Sequence, residues 1–200
     1  MPLSVNTGAS GPGQLSGWLQ VIAIVLLLPV GGILGALTGF VPMSPIFSVL
    51  LPLAAATYFL RRDGRRWRQL AFGRTLSGSQ HLGFAALALV VVYAGVIALS
   101  IVLGLLGLPG ADYSLLQQLI QGELAMYLWF LLPVSWGSAA IGEELLARGF
   151  LQYRLESMTG AAAAVVLQAT IFGLAHAYQG LSGILLTFLV GLVFGTVYLK

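Results

Sequence analysis

Two adjacent carboxylates and an arginine stand out in a chain in which only 8% of the residues are charged. The stretch IGEELLARGFLQ places Glu143, Glu144 and Arg148 directly after a long apolar run. At about 100° per residue, Glu144 and Arg148 share one helix face, whereas Glu143 points about 100° away. An unpaired charge at mid-bilayer costs at least about 2.5–3.5 kcal/mol, so we expect Arg148 to neutralise Glu144. Glu143, without an adjacent cation, is the candidate general base.

A second polar interruption lies in QATIFGLAHAYQG, where His176 follows Phe172 by four positions and shares its helix face. The segment ESMTG, residues 156–160, has the composition of a turn. With Thr159 as the turn, Glu144 lies 15 residues before it and His176 lies 17 after it. Each distance is about 22–26 Å at about 1.5 Å per residue. An antiparallel hairpin therefore brings both glutamates and His176 to one depth, where we expect them to face a polar cavity.

Each of these elements has a plainer explanation when it is taken alone. Two carboxylates and an arginine can form a charge cluster at a helix end, and a single histidine in a span can be a packing residue. Both together, at matched depth in a chain with two histidines, favour a functional site. The other histidine, His81, lies at the edge of a basic segment, and we interpret it as interfacial.

The elements that must position these residues are membrane spans. The chain of 200 residues is 58% hydrophobic with a mean hydropathy of +0.97, against roughly 45–50% apolar residues in soluble domains. Since a bilayer crossing needs about 20 apolar residues, we predict an all-α bundle of about six spans forming one membrane-embedded domain over residues 1–200. The candidate spans are 18–40, 44–60, 82–106, a stretch within 124–158, 161–177 and 183–199.

Charge and composition limit the possible membrane topologies and binding partners. Six of the nine basic residues lie in one short loop, Arg61 to Arg74, which the positive-inside bias assigns to the cytoplasm. The net charge of +3 does not suggest nucleic-acid binding, and the absence of cysteine excludes disulfides and thiolate metal ligands. The first apolar run follows a leader without Lys or Arg and is long, so we predict a retained span rather than a cleaved signal peptide.

Three local features refine this topology. Gln117, Gln118 and Gln121 have near-helical spacing in a segment without Lys or Arg, which predicts a short amphipathic helix at the membrane surface. Pro133 leaves open whether residues 124–158 form one kinked helix or two hinged segments. Gly31 and Gly35, like Gly191 and Gly195, have the small-xxx-small spacing that lets helices approach closely.

The motifs EELLAR and FGLAH resemble the first two motifs, Glu-Glu-x-x-x-Arg and Phe-x-x-x-His, of the CPBP family of intramembrane proteases. That family includes the CAAX prenyl endopeptidases and bacterial bacteriocin-processing or self-immunity relatives. The resemblance covers residues 129–200. It implies an endopeptidase in which Glu143 activates water and His176 positions that water or stabilises the oxyanion. The expected catalytic residues are Glu143, Glu144 and His176, with Arg148 and Phe172 in supporting places.

The family's third motif, a His followed four residues later by Asn or a similar residue, would come shortly after Lys200. We therefore expect the sequence to be truncated before that motif and its helix, and the 200-residue chain to have little peptidase activity by itself. His81 cannot take this place, because it precedes the first motif and Ala85 stands four residues after it.

The cofactor requirement is left open by the residues. Zinc needs three protein ligands and an open position, and only Glu143, Glu144 and His176 are at hand, without a His-Glu-x-x-His arrangement. A water activated by a carboxylate needs no metal and is the preferred mechanism. A divalent metal such as zinc, bound by Glu143 and His176, remains the alternative.

The leading functional hypothesis is an intramembrane endopeptidase in a bacterial cytoplasmic membrane. Its substrate would be a membrane-associated or prenylated peptide or protein. The alternative is a non-catalytic membrane immunity or scaffold protein that retains the charge cluster for folding. A proton-coupled transporter is less favoured, because the sequence has no inverted repeat.

Overall fold

The computed structural model describes residues 14–71 and 78–199, in which all regular secondary structure is helical. The predicted all-α fold is therefore confirmed. The leader, Arg74 of the basic segment, Lys200 and the side chain of His81 lie outside the described part. We number the helices α1 (Gln14–Ala36), α2 (Met43–Arg62), α3 (Trp67–Ala71), α4 (Gly78–Leu105), α5 (Ser114–Ile120), α6 (Leu124–Thr159), α7 (Ala161–Ala175) and α8 (Gly180–Tyr198).

Five of these helices, α1, α2, α4, α6 and α8 with its preceding turn, are long and apolar enough to cross a membrane by length and composition. The sixth predicted span is the shorter apolar helix α7, of 15 residues. Five long helices and one short one agree with the prediction of about six spans. The predicted surface helix is present as α5, whose side chains are all at least partly exposed.

Residues 124–159 form one continuous helix rather than two hinged segments, which decides the alternative that Pro133 left open. Within it, Phe130–Glu143 and Leu145–Gln152 are wound as a π-helix, with hydrogen bonds from residue i to i+5. Pro133, which has no N–H to donate, lies near the start of this wider winding. The stretch that carries both glutamates and Arg148 is thus not an ordinary α-helix.

The chain reverses at Gly160, where φ is +85°, a backbone conformation that residues with a Cβ rarely adopt. The segment that we expected to form the turn, residues 156–160, is therefore helical up to Thr159, with only its last residue turning. In this last turn the Gly160 N–H donates to the Glu156 carbonyl, and the Thr159 hydroxyl donates to the Leu155 carbonyl at 2.9 Å. The antiparallel hairpin of α6 and α7 is present as predicted.

Glycines allow close approach at two helix pairs. A Cβ on Gly31 or Gly35 would overlap the backbone of α2 near Phe47 and Met43, and a Cβ on Gly191 would lie 2.9 Å from Cα of Ala169. Buried glutamines add interhelical hydrogen bonds, because Nε2 of Gln168 donates to the Gly191 carbonyl at 3.0 Å. The predicted role of small residues in helix packing is confirmed at these positions.

One end of the bundle, which we call the arginine end, contains Arg62 and the segment that leads to α3. This segment is not a free loop, because the Trp67 indole N–H donates to the Thr57 hydroxyl at 2.9 Å and its ring lies against Gly149. At the same end, the Tyr198 hydroxyl donates to the Leu70 carbonyl at 2.6 Å. The start of α1 and the ends of α2, α6 and α8 therefore meet here.

A buried ion pair that the sequence did not predict closes the arginine end. Arg154 of α6 pairs with Asp63 just beyond α2, and their side chains are 2% and 9% exposed. The Gln20 amide donates to the same carboxylate at 3.3 Å, and Arg62 contacts its other oxygen at 3.4 Å. The hydrophobic core is formed by the same helices and α7; it comprises Val21, Ile24, Val49, Ala56, Leu60, Leu146, Phe150, Leu151, Leu155 and Ala164.

Candidate active site

Glu144 and Arg148 form the ion pair that their spacing predicts. Nη1 of Arg148 lies 3.1 Å from Oε1 of Glu144, and the side chains are 3% and 40% exposed respectively. The arginine is thus enclosed in the bundle, while its carboxylate partner reaches the surface. The pair neutralises a buried cation rather than a buried anion.

Two aromatic rings complete the surroundings of Arg148. Its guanidinium carbon lies 4.8 Å from the centre of the Phe172 ring and 5.5 Å from that of Phe194. None of its three nitrogens has a hydrogen-bond partner among the described residues. The cation is therefore held by charge and by the negative faces of the rings. This gives Phe172 a contact to Arg148 that the sequence motif did not reveal.

Glu143 is half-buried and makes no direct ion pair within the described residues. It interacts electrostatically with both His176 and Arg148. The structure therefore brings Glu143 and His176 into one electrostatic neighbourhood, although they are 33 positions apart in the sequence. The two adjacent glutamates differ as expected, because Glu144 is paired and Glu143 is not.

His176 caps the end of α7 instead of lying within a helix. Its Nδ1 is 2.8 Å from the Phe172 carbonyl oxygen, and the two rings are 4.9 Å apart between centres. Because a carbonyl oxygen can only accept a hydrogen bond, Nδ1 must carry the proton in this contact. Nε2 of the neutral ring is then left as an acceptor.

A cavity of about 680 Å³ opens beside His176 at the end of the bundle opposite the arginine end. Its walls are residues 109–112, after α4, and residues 177–181, between α7 and α8. The N–H of Asp112 donates to the Gln179 carbonyl at 3.0 Å, and the Ser182 hydroxyl donates to the Pro109 carbonyl. Neither glutamate belongs to its walls.

The charged side chains of the site offer few donors to a metal ion. Among residues 14–71 and 78–199, no group of three His, Asp or Glu side chains is placed to hold a metal ion. Glu144 is paired with Arg148, which leaves Glu143 and His176 as donors. Two donors do not fit the three-ligand catalytic zinc site, so we derive no step through a metal.

Tyr178 and Gln179 are polar residues of this region that sequence reasoning did not select. Tyr178 follows His176 by two positions and its ring centre lies 5.9 Å from that of the imidazole. The signal was present in the letters AYQG, which place polar groups directly after the histidine in an apolar chain. Both residues fall between the predicted spans 161–177 and 183–199, and no role was inferred for them.

Part of the chain is similar to a known protein family. Residues 124–200 match the family model described as Rce1-like, type II CAAX prenyl endopeptidase. The resemblance inferred from the two motifs is thereby confirmed for the part of the chain that contains α6, α7 and α8. No curated protein and no solved structure matches the chain.

Proposed function

Because residues 124–200 match the CAAX-type intramembrane protease family, we propose that this protein is an endopeptidase that hydrolyses a peptide bond of a membrane-associated substrate. The observation that carries the proposal is the carboxylate of Glu143, which has no ion pair among the described residues and interacts electrostatically with His176. An open cavity begins at the residue after this histidine. Peptide hydrolysis needs a base for water and a donor for the oxyanion. The pair offers a carboxylate for the first task, and the imidazole, whose Nε2 accepts a hydrogen bond, can orient the water.

In the proposed reaction Glu143 takes a proton from a water molecule, whose oxygen attacks the scissile carbonyl carbon. The carbonyl π electrons move to oxygen and form a tetrahedral oxyanion. When the C–N bond breaks, the oxyanion electrons restore the carbonyl and Glu143 passes its proton to the leaving amine. His176, with Nδ1 held by the Phe172 carbonyl, orients the water through Nε2.

Glu144 and Arg148 have a different task in this proposal. Arg148 is buried between Phe172 and Phe194, so it fixes the distance between α6, α7 and α8 around the reacting groups. Glu144 neutralises this cation, which leaves Glu143 free for the reaction. These two residues therefore position the site rather than touch the reacting atoms.

The length of α7 favours a substrate that is reached within the membrane. Its 15 residues span about 22 Å at about 1.5 Å per residue, less than the roughly 30 Å hydrocarbon core. A helix that starts near one membrane surface thus ends, with His176, short of the other. A peptide anchored by a prenyl group would present its scissile bond at such a depth.

The orientation in the membrane is part of the same proposal. With five arginines in residues 61–68, the arginine end faces the cytoplasm by the positive-inside bias, in a bacterial cytoplasmic membrane. Since the chain has no cysteine, single cysteines at Arg65 and at Asp112 can be labelled without background. In intact cells an impermeant thiol reagent should label position 112 and not position 65. The opposite pattern contradicts this orientation.

The proposed function can be tested with the full-length protein in liposomes and a farnesylated peptide, in water enriched in ¹⁸O. The wild type should release two fragments, and the new carboxyl group should carry one ¹⁸O. Glu143→Gln should release neither fragment, whereas Glu123→Gln, which changes an exposed acid at the start of α6, should cleave as the wild type does. Absence of cleavage by the wild type, or normal cleavage by Glu143→Gln, would overturn the proposal.

A further inference from the structure

Tyr178 is an exposed polar side chain beside the proposed reacting groups, and the reaction as described above does not use it. It belongs to the single 3₁₀ turn Ala177–Gln179 that joins α7 to α8, and its side chain is 75% exposed. The ring forms part of the cavity wall. Its position two residues after His176 brings a phenol hydroxyl to the same end of the bundle as the imidazole.

The hydrogen bonding of the Tyr178 hydroxyl leaves its proton free. Nε2 of Gln179 donates to the hydroxyl oxygen at 3.0 Å, so the oxygen acts as an acceptor in this contact. A phenol has one proton to donate, and no described residue accepts it. Accepting a hydrogen bond also polarises the O–H group, so it becomes a better donor to a third group.

Gln179 is placed to hold this arrangement. Its side chain is buried, with Cβ against Gly183, where an added methyl group would overlap it. Its carbonyl accepts the N–H of Asp112, which ties the turn to the opposite wall of the cavity. The amide that orients the Tyr178 hydroxyl is therefore itself fixed on two sides.

The electrostatics connect Tyr178 with the proposed base. Its phenol interacts electrostatically with Glu143, and its ring is 5.9 Å from the His176 ring between centres. Tyr178 and the imidazole thus lie together beside the cavity, and the proposed base acts on Tyr178 electrostatically. A peptide carbonyl that enters this region would meet a carboxylate-activated water on one side and a phenol proton on the other.

We propose that the Tyr178 hydroxyl donates a hydrogen bond to the oxyanion of the tetrahedral intermediate, with Gln179 as a positioning residue. The inference rests on the proposed function of the site. No proton is transferred in this step: as the carbonyl oxygen gains negative charge, the phenol O–H stabilises it, and the charge returns to the carbonyl when the C–N bond breaks. Tyr178 is in this sense a catalytic residue.

The test compares Tyr178→Phe, which removes only the hydroxyl, with Tyr58→Phe, which removes an exposed hydroxyl from α2 near the arginine end. Loss of one oxyanion donor typically lowers turnover by about 100- to 1,000-fold. We expect kcat of Tyr178→Phe on the farnesylated peptide to fall in this range with KM little changed. Tyr58→Phe should keep the wild-type kcat.

A binding measurement makes the test independent of turnover. A phosphinate analogue of the same peptide carries the charge and geometry of the tetrahedral intermediate, and such analogues bind more tightly than substrates. Tyr178→Phe should weaken binding of the phosphinate by about 100-fold. Binding of the uncleaved peptide is measured in the Glu143→Gln background, and adding Tyr178→Phe there should leave that affinity unchanged. Gln179→Leu should weaken it less and add nothing to Tyr178→Phe, because both act through one hydroxyl.

The outcomes separate this inference from the proposed function. If the wild type cleaves the peptide and Tyr178→Phe keeps its kcat and its phosphinate affinity, the inference is wrong and the proposed function stands. Equal losses of phosphinate and ground-state peptide binding would make Tyr178 a structural residue and also overturn the inference. If the wild type neither cleaves the peptide nor binds the phosphinate, both are overturned.

Discussion

Two carboxylate–arginine pairs of similar chemistry lie in this bundle, and they differ in how completely other side chains enclose them. At the arginine end, Asp63 and Arg154 are both buried, and Gln20 and Arg62 contact the same carboxylate. Nearer the cavity, the carboxylate paired with Arg148 is 40% exposed. We call the first the closed pair, because its carboxylate is 9% exposed and is contacted by three side chains, whereas the carboxylate of the second is the more exposed.

In our proposal this difference separates a structural use of charge from a reactive one. A fully paired carboxylate can neither take up a proton readily nor approach a substrate, because its lone pairs are occupied by donors. Glu143 lies beside the second pair and has no ion pair of its own among the described residues. The same residue types therefore hold the helices together at one end and, in our proposal, act on water at the other.

The largest expected loss of stability follows from opening the closed pair. Arg154→Ala removes a buried cation that also stacks on Phe150 and Tyr153, at 5.4 Å from each ring centre. Breaking a buried pair by removing one partner costs about 3–5 kcal/mol. We expect the free energy of unfolding in a denaturing-detergent titration to fall by that amount. A loss as small as that of an exposed pair would mean that Asp63 is already satisfied by its other contacts.

A smaller loss is expected for Arg148→Ala in the same titration. The substitution removes contacts to two aromatic rings, worth about 0.5–2 kcal/mol, and an ion pair whose carboxylate reaches the surface, worth about 0.2–1 kcal/mol. We therefore expect a fall of about 1–3 kcal/mol in the free energy of unfolding. Arg148→Lys is the control that keeps the charge but not the planar stacking. If Arg148→Ala destabilises the protein more than Arg154→Ala does, the Asp63–Arg154 pair does not contribute more to the free energy of unfolding than the Glu144–Arg148 pair, and our ranking is wrong.

The smallest loss is expected for Gln20→Met, which removes the third partner of the closed pair while keeping a side chain of similar length. The amide makes one hydrogen bond to the carboxylate, at 3.3 Å, and a hydrogen bond to a charged group contributes about 1.5–3 kcal/mol at short distance and less when it is long. We expect a fall of about 1 kcal/mol in the free energy of unfolding and no change in cleavage rate. An effect on cleavage would show that the two ends are coupled.

The comparison also explains which features could be predicted from the sequence. The spans follow from apolar runs, so the ends of α2 differ from the prediction by no more than two residues, and the Glu144–Arg148 pair follows from spacing along one helix. The Asp63–Arg154 pair joins residues 91 positions apart, and no local pattern encodes such a contact. Asp63 lies in the basic segment that was interpreted as a topology signal, and nothing in the sequence around it is a reason to assign this acid a separate role.

The site was only partly predictable for a related reason. Matched distances from the turn predict that the Glu pair and His176 lie at one depth, because the helices on either side of Gly160 run back along each other. The cavity is formed instead by two non-helical connections, residues 109–112 and 177–181, whose contact depends on the packing of α4 against α8. Periodicity describes helices and says nothing about how separate connections meet, so the place of Tyr178 could not be derived.

The most direct test compares two isosteric changes, Glu143→Gln and Asp63→Asn, by cleavage rate per folded protein on the farnesylated peptide in liposomes. We predict that Glu143→Gln lowers kcat by about 100- to 10,000-fold, the usual contribution of a general base, while Asp63→Asn lowers the yield of folded protein but leaves kcat of the folded fraction unchanged. Equal kcat values for the two variants, or an active Glu143→Gln, would contradict the separation of a structural end from a reactive one.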